Sequence, residues 1–299
     1  MPPMSNLKEI RTRIASIRST RKITSAMKMV SASRLRKVQN YIVHLRQYAI
    51  LLRGILDEVT AQLSASRKGI YLSSKSTGDA LVICIGSSRG LCGTYNGVLV
   101  RQCLKRVKEL SEGGLRVQLL VLGKKPASFF KKRGFSMLEA DHDLIDKVNY
   151  GSASEFAHHL MELFLKENFE SIEVVYYRFR NAVVQELTVE QLLPLPGDEG
   201  YGGEQADEVS DEDPVIMEPS LEDAAGYMIA QFVSYNVYRI LLDASASEHG
   251  SRMTAMHQAT DNADEMIRTL TLHYNKARQA SVTRELMDIV GGNNSSYSF

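Results

Sequence analysis

A glycine-rich segment in the first third of the chain is the clearest candidate for chemistry. Gly86-Ser-Ser-Arg-Gly-Leu-Cys-Gly93 follows a short apolar run and precedes a helical pattern. A turn of this kind can hold a phosphate on the N–H groups of the helix start. It matches neither the dinucleotide fingerprint nor the P-loop, and no acidic residue is well placed to bind a ribose. The pattern therefore favours a tight turn, or a backbone surface presented to a partner, over a nucleotide site.

Other reactive side chains also lack the neighbours that their chemistry needs. Ser87 and Ser88 lie outside a G-x-S-x-G motif, and no histidine or carboxylate is evidently paired with them. Asp141-His-Asp143 offers two kinds of metal ligand, but no third ligand suggests itself, so we expect an exposed polar loop. The sequence predicts no catalytic residue, no metal site and no cofactor.

The chain carries three cysteines that cannot all pair and that form no C-x-x-C motif, namely Cys84, Cys92 and Cys103. Free thiols in a reducing compartment are the simplest interpretation. No signal-like or membrane-spanning stretch is present, and we expect Met1–Met4 to be a disordered leader. Any membrane association would then go through partners.

Charge is distributed unevenly, although the net charge is only +1. Residues 8–46 hold eleven Lys or Arg and a single acid, whereas residues 198–213 hold eight acids and no base. The basic run could bind nucleic acid, but it lacks interleaved aromatic residues. It suits an acidic protein partner better, and a solvated helix face is the ordinary alternative. The acidic stretch predicts a mobile loop.

Both ends of the chain read as one long helix each. Asn6–Leu63 and Leu221–Val290 contain no proline and few glycines, and each could form a rod on the order of 85–105 Å long. Apolar residues recur at alternating steps of three and four, as in a coiled-coil seam. Four consecutive seam positions of the first helix are polar (Arg21, Thr24, Lys28 and Ser31). There we expect the seam to change face, towards Ile23, Ala26, Met27 and Val30.

Between the helices, short apolar runs alternate with helical patterns. The expected strands cover Ala80–Ile85, Leu115–Leu122, Phe135–Ala140, Ser171–Phe179 and Val183–Leu193, and the expected helices cover Tyr95–Leu110, Pro126–Lys132 and Ala153–Lys166. This order predicts βαβ units and a largely parallel sheet. The fold class is therefore α/β, with a long antiparallel coiled coil of the terminal helices and a central Rossmann-like domain. The expected boundaries are 1–70, 71–219 with an acidic insertion at about 197–219, and 220–299.

Three groups of motifs closely resemble one family, the γ subunits of F-type ATP synthases. They are Ile14–Arg36, Ser88–Gly93, and a C-terminal group formed by Ala246–Met256, Ala259–Ala263, Tyr274–Glu285 and Ile289–Gly292. The motifs follow the family order, and the resemblance covers essentially the whole chain.

The resemblance implies a rotor rather than an enzyme. The terminal helices would turn inside an α3β3 hexamer, and the middle domain would contact the ε subunit and the membrane c-ring. Ion-driven rotation would then force the β subunits through their conformational cycle, without bond chemistry on this chain. With no organellar presequence in the sequence, we expect a location on the cytoplasmic face of a bacterial inner membrane. The rival hypotheses are a coiled-coil scaffold and a nucleic-acid-binding protein.

The resemblance also implies rotor–stator contacts. Arg278, Gln279 and Thr283 match positions that meet a loop of the β subunit near the shaft tip, and Met27 matches a coupling-sensitive position beside Lys28. Arg89 matches the arginine that faces the acidic lever of β.

The chain departs from the family pattern at two places. Ser88 stands where the family often has an acid, and Thr94 follows Gly93 in place of a glycine. The acidic segment also looks longer than in many members; it contains no cysteine, which excludes dithiol regulation there.

Overall fold

The structure is a computed structural model that describes residues 7–62, 78–138, 142–167, 169–195 and 221–295. The expected leader and the acidic insertion lie outside these ranges. In chain order the elements are α1 (Leu7–Gln62), β1 (Asp79–Ile85), α2 (Tyr95–Glu112), β2 (Arg116–Leu122), α3 (Lys124–Lys132), α4 (Asp143–Asp146), α5 (Tyr150–Lys166), β3 (Ser171–Phe179), β4 (Gln185–Leu193) and α6 (Leu221–Ser295).

The central sheet has four strands in the order β2-β1-β3-β4. β1 pairs in parallel with β2 and β3, whereas β4 pairs antiparallel with β3. Parallel neighbours need a crossover connection, and α2 supplies it between β1 and β2. The predicted Rossmann-like domain is confirmed, with an antiparallel strand at one edge.

Side chains of β1 alternate between two apolar clusters, one on each face of the sheet. Leu81 and Ile83 pack with buried residues of α5 and α6, including Phe164 and Phe232. The alternate residues of β1, namely Ala80, Val82 and Cys84, pack with residues of α2 and α3 on the other face of the sheet. A strand buried on both faces reads as a continuous apolar run, which is why β1 was recognisable in the sequence.

The predicted strand Phe135–Ala140 is wrong in its described part. Only Leu138 pairs, through an isolated bridge to Leu120, and residues 139–141 lie outside the described ranges. The residues just before Leu138 form the C-terminal end of helix α3 instead, through hydrogen bonds to the carbonyls of its last turn. The Gly134 N–H bonds to the Lys131 carbonyl, and Gly134 has a positive φ of 77°, as is common just past a helix end.

Gly123, between β2 and α3, lies close against the backbone that follows β1 and gives a first testable prediction. Its φ is 101°, and a Cβ there would lie 2.4 Å from the Gly86 carbonyl oxygen. We expect Gly123→Ala to lower the free energy of unfolding by at least about 2 kcal/mol, through backbone strain and this clash. Urea unfolding measures it. The matched control is Gly97→Ala in α2, where no atom lies within 4 Å; it should be neutral or stabilise by up to about 1 kcal/mol. Equal stabilities for the two variants would contradict the prediction.

The chain forms two compact units. Residues 1–30 and 253–299 form one, called here the coiled-coil unit, and residues 31–252 form the other, the sheet unit. The predicted domain boundaries near residues 70 and 219 fall outside the described residues. Among the described helices, none is both long and apolar enough to cross a lipid bilayer.

Within the coiled-coil unit, α1 and α6 run antiparallel. The Thr24 and Thr260 hydroxyls lie 2.8 Å apart, Arg21 forms an ion pair with Asp264, and Lys28 Nζ lies 3.4 Å from His257 Nδ1. As the residue number rises along α1, it falls along α6, which confirms the predicted antiparallel pairing.

The expected change of face in the α1 seam is wrong. Thr24 is buried, whereas Ile23 and Val30 are 57% and 54% exposed. Thr24 and Ser31 keep the inner face, and the Thr260 hydroxyl of α6 gives Thr24 a hydrogen-bond partner there, so that burying it is not costly. Ile23 and Val30 therefore face outward, whereas Met27 is half-buried.

Candidate partner-binding surfaces

The first candidate surface lies on the coiled-coil unit, where α6 carries Arg278, Gln279 and Thr283. All three side chains are exposed, and Thr283 Oγ1 donates to the Gln279 carbonyl at 2.9 Å. The neighbouring seam residues Tyr274 and Ala277 are half-buried, so the exposed set lies on the outer face of α6. These side chains are free to meet a partner.

Large apolar side chains are also exposed elsewhere on the coiled-coil unit. Leu286 and Ile289 of α6 are 58% and 69% exposed, and Met29 of α1 is 68% exposed. Leu286 and Ile289 are spaced i, i+3 on one face of α6, and neighbouring exposed apolar residues of this kind are typical of protein–protein interaction sites. The unit thus combines charged groups with apolar contact area.

The first helix places its two predicted residues differently. Met27 and Lys28 are both half-buried, and the Lys28 ammonium group faces His257 of α6. Both residues therefore take part in the packing between the two helices and are also partly accessible to solvent at the edge of that interface. Five of the six predicted contact residues lie in the coiled-coil unit, and Arg89 lies in the sheet unit.

Arg89 lies on the second candidate surface, the loop between β1 and α2. We call residues 86–93 the glycine loop. The Asn96 side chain fills this loop: its Oδ1 accepts from the Ser87 N–H at 3.0 Å, and its Nδ2 donates to Ser87 Oγ at 2.7 Å. Backbone donors that could have held a phosphate are partly used internally. The loop is therefore a tight turn whose interior is occupied by the Asn96 side chain.

The outer side of the glycine loop is open to solvent. Arg89 is exposed, and Leu91 is 62% exposed with a positive φ of 62°. Leucine adopts this left-handed conformation rarely. The sequence predicted Arg89 but not Leu91, because no local pattern reveals a strained leucine.

A buried arginine of α6 holds the loop from behind. Arg252 is 6% exposed; its Nε donates to the Gly90 carbonyl at 3.1 Å, and its Nη2 donates to the Arg89 carbonyl at 3.2 Å. Its charge is paired with Glu248 at 2.7 Å. Burial raises the pKa of the Glu248 carboxyl, and the nearby Arg252 charge opposes that rise. Sequence reasoning missed Arg252, whose loop partners lie more than a hundred residues away.

The remaining predicted polar group gives no metal site in the described residues. Asp141 lies outside them, Asp143 pairs with Lys124 at 3.7 Å, and the His142 carbonyl accepts a hydrogen bond from Ser88 Oγ. No group of three potential metal ligands occurs in the part of the chain that the structure describes.

Comparison with known proteins places the chain in one family. A family model described as ATP synthase matches residues 6–295. The ATP synthase gamma chain of Flavobacterium johnsoniae is 39% identical over 290 residues, and that of Cytophaga hutchinsonii is 36% identical over 293 residues. Each alignment covers 97% of this chain and 98% of the relative.

Solved structures agree in fold. A chain from the central stalk and c-ring of the Tetrahymena thermophila mitochondrial ATP synthase is 27% identical, with a TM-score of 0.56, and the match covers 79% of this chain and 99% of that one. A chain of the Euglena gracilis mitochondrial ATP synthase gives a TM-score of 0.64 at 17% identity, covering 98% of this chain and 95% of that one. With two long helices, a central α/β sheet and relatives matched over nearly their full length, this chain belongs to the ATP synthase gamma chain family.

Proposed function

We propose that this chain, as the central rotor of an ATP synthase, turns inside an α3β3 hexamer and drives the β subunits through their conformational cycle. Relatives named ATP synthase gamma chain, matched over nearly their whole length, are the observation that carries the proposal. The chain does no bond chemistry itself. Its sheet unit meets the ε subunit and the c-ring, whose ion-driven rotation supplies the torque.

The coiled-coil unit suits this role on physical grounds. A shaft must act unequally on three similar catalytic subunits, and a partner shifts a two-state element only through contacts that differ between the states. The two helices differ in sequence, in charge and in their exposed apolar residues. Each angular position of the shaft therefore presents a different surface.

The proposed contacts are Met27, Lys28, Arg278, Gln279 and Thr283 on the coiled-coil unit and Arg89 on the glycine loop. Exposed cations such as Arg278 and Arg89 suit acidic segments of β, whose attraction they strengthen and orient. The complex is peripheral to a membrane, and we place this chain on the cytoplasmic face of a bacterial inner membrane. We propose domain boundaries at 1–70, 71–219 and 220–299.

The test is the rate of coupled ATP synthesis in membrane vesicles carrying the assembled complex. Arg278→Ala and Gln279→Ala should each lower it roughly three- to tenfold, as expected for losing one hydrogen bond of about 1 kcal/mol at the coupling step. The complex should still assemble, because both side chains are exposed. Arg268→Ala, at another exposed position of α6, is the matched control. Wild-type rates in both single variants and in the double variant would refute these contacts.

A further inference from the structure

The glycine loop carries a leucine, Leu91, whose unusual backbone conformation is not explained by burial of its side chain. Leu91 has a φ of 62°, and its side chain is 62% exposed. A non-glycine residue persists in this region only where its surroundings determine the backbone, and such residues cluster at functional sites. An exposed apolar side chain held under strain gains nothing within this chain. It can gain by being buried against a partner.

The loop is restrained from two sides: Ser87 Oγ donates to the Arg89 carbonyl at 2.7 Å from within the loop, and Arg252 holds the loop from α6. Its guanidinium group meets three acceptors at once: the carbonyls of Arg89 and Gly90, and the Glu248 carboxylate. Only arginine presents a planar fork of donors that can satisfy such a set. The two carbonyls come from residues directly before Leu91. Arg252 thereby restrains the peptide units that set the direction of the Leu91 side chain.

The helix segment that carries Arg252 is itself fixed to the sheet unit. The Tyr95 hydroxyl donates to the Ala244 carbonyl at 3.2 Å, and Ser247 Oγ donates to the Tyr177 carbonyl at 3.0 Å. Gly250 approaches the backbone so closely that a Cβ would lie 3.2 Å from the Ala182 carbonyl oxygen. The position of the loop therefore follows the position of α6.

We propose that Arg252 is a positioning residue which fixes the glycine loop to α6, so that the loop presents Leu91 as an apolar anchor beside the Arg89 charge. The partner is the acidic segment of β already proposed for Arg89; what is added is the apolar contact of Leu91 and the restraint by Arg252. The inference rests on the proposed rotor function and deepens it. Arg89 supplies the attraction, Leu91 supplies contact area, and Arg252 transmits the motion of the helix to both.

The decisive variant is Arg252→Lys. Lysine keeps the charge that Glu248 needs, but it lacks the planar fork of donors that bonds both loop carbonyls. The loop therefore loses its restraint from α6, while the Ser87 bond to the Arg89 carbonyl and the buried ion pair survive. The chain provides its own probe, because Cys92 lies in the loop and is 3% exposed, with its Sγ 3.3 Å from Asn96 Nδ2. Cys84 and Cys103 are fully buried in the sheet unit and report its general opening.

Labelling of the full-length chain with a thiol reagent measures the restraint. We expect Cys92 to react roughly tenfold faster in Arg252→Lys than in the wild type, as the loss of two hydrogen bonds would allow. Cys84 and Cys103 should react at unchanged rates. Arg268→Lys, an exposed arginine on the same helix, is the control. Unchanged labelling of Cys92, or equal acceleration at all three cysteines, would overturn the positioning role.

Coupled ATP synthesis in the assembled complex tests the anchor. Leu91→Asn removes the apolar side chain while tolerating a positive φ, so it should lower coupling roughly fivefold without faster labelling of Cys92. Arg252→Lys and Arg89→Gln should be non-additive if they act through one loop. Additive effects, or wild-type coupling in Leu91→Asn, would overturn the proposal. Wild-type coupling in Arg89→Gln alone would refute the proposed Arg89 contact. The rate of Cys92 labelling tests the restraint of the loop by Arg252 independently of that contact.

Discussion

Replacing Arg239 by alanine is expected to lower the free energy of unfolding by about 3 kcal/mol. Arg239 of α6 forms an ion pair with Glu190 of β4, donates to the Tyr176 hydroxyl at 3.2 Å, and lies 3.8 Å from the Asp243 carboxylate. Glu190 is only 9% exposed. Removing one partner of a buried pair leaves an uncompensated charge, which typically costs about 3–5 kcal/mol.

The lower end of that range applies because Glu190 keeps two other partners. The Tyr176 hydroxyl donates to it at 2.6 Å, and Arg178 Nη2 lies 3.0 Å away. Burial alone would raise the pKa of Glu190, but the Arg239 charge and these hydrogen bonds outweigh burial, and the pKa is lowered. This pair therefore stabilises the fold at neutral pH, and its contribution is lost as the pH falls through the folded-state pKa of Glu190.

Urea unfolding at pH 7 measures the effect. The control is Arg180→Ala, which removes an exposed pair with Glu186 and should cost no more than about 1 kcal/mol. The double variant Arg239→Met with Glu190→Leu should recover part of the loss, because it removes both charges of this pair, while Asp243 still loses its contact with Arg239. A loss for Arg239→Ala no larger than that for Arg180→Ala would show that the buried pair contributes little.

The comparison between sequence and structure separates local from distant information. Both long helices and the strands Ser171–Phe179 and Asp79–Ile85 were recognisable because apolar periodicity and short apolar runs are local features. The polar part of the α1 seam misled the sequence analysis because Thr24 depends on Thr260, which lies 236 residues further along the chain. No periodicity in one helix reveals the polar partner that the other supplies.

The candidate surfaces show the same division. The glycine loop was recognisable from its composition. Asn96, whose side chain fills the loop, lies only nine residues from Ser87, so this contact is a local feature of the sequence. Arg252, by contrast, lies 162 residues from Gly90, and its importance follows only from the fold. The exposure of Arg278, Gln279 and Thr283 agrees with partner binding, and only measurements on the complex test their roles.

Acid should destabilise this chain through His249, which lies beside Arg252. Burial lowers the pKa of His249 to about 4, and the charges of Arg252, Arg34 and Arg89 act in the same direction. In the unfolded chain a histidine has a pKa of about 6.5. Between these two pH values the unfolded state binds a proton that the folded state does not, so stability falls as the pH drops from about 6.5 to about 4.

The loss over this window amounts to about 3 kcal/mol for this one group. Glu248 contributes with the opposite sign, because its pKa is raised in the folded state and its destabilising effect fades as it is protonated. His249→Gln separates the two, since glutamine is uncharged and can still accept from Arg252, which lies 3.4 Å from His249 Nδ1. Titrating carboxylates, including Glu248, are common to both proteins and cancel in the difference.

The free energy of unfolding is therefore to be measured from pH 7 to pH 4 for both proteins. Wild-type stability should fall more steeply than that of His249→Gln, and the two curves should diverge by about 3 kcal/mol at the acidic end. His159→Gln, at an exposed position on α5, is the matched control. Parallel curves for wild type and His249→Gln would mean that the folded chain accommodates the imidazolium. In that case the three arginines around His249 would not keep it neutral, and the packing of α6 behind the glycine loop would tolerate a further positive charge.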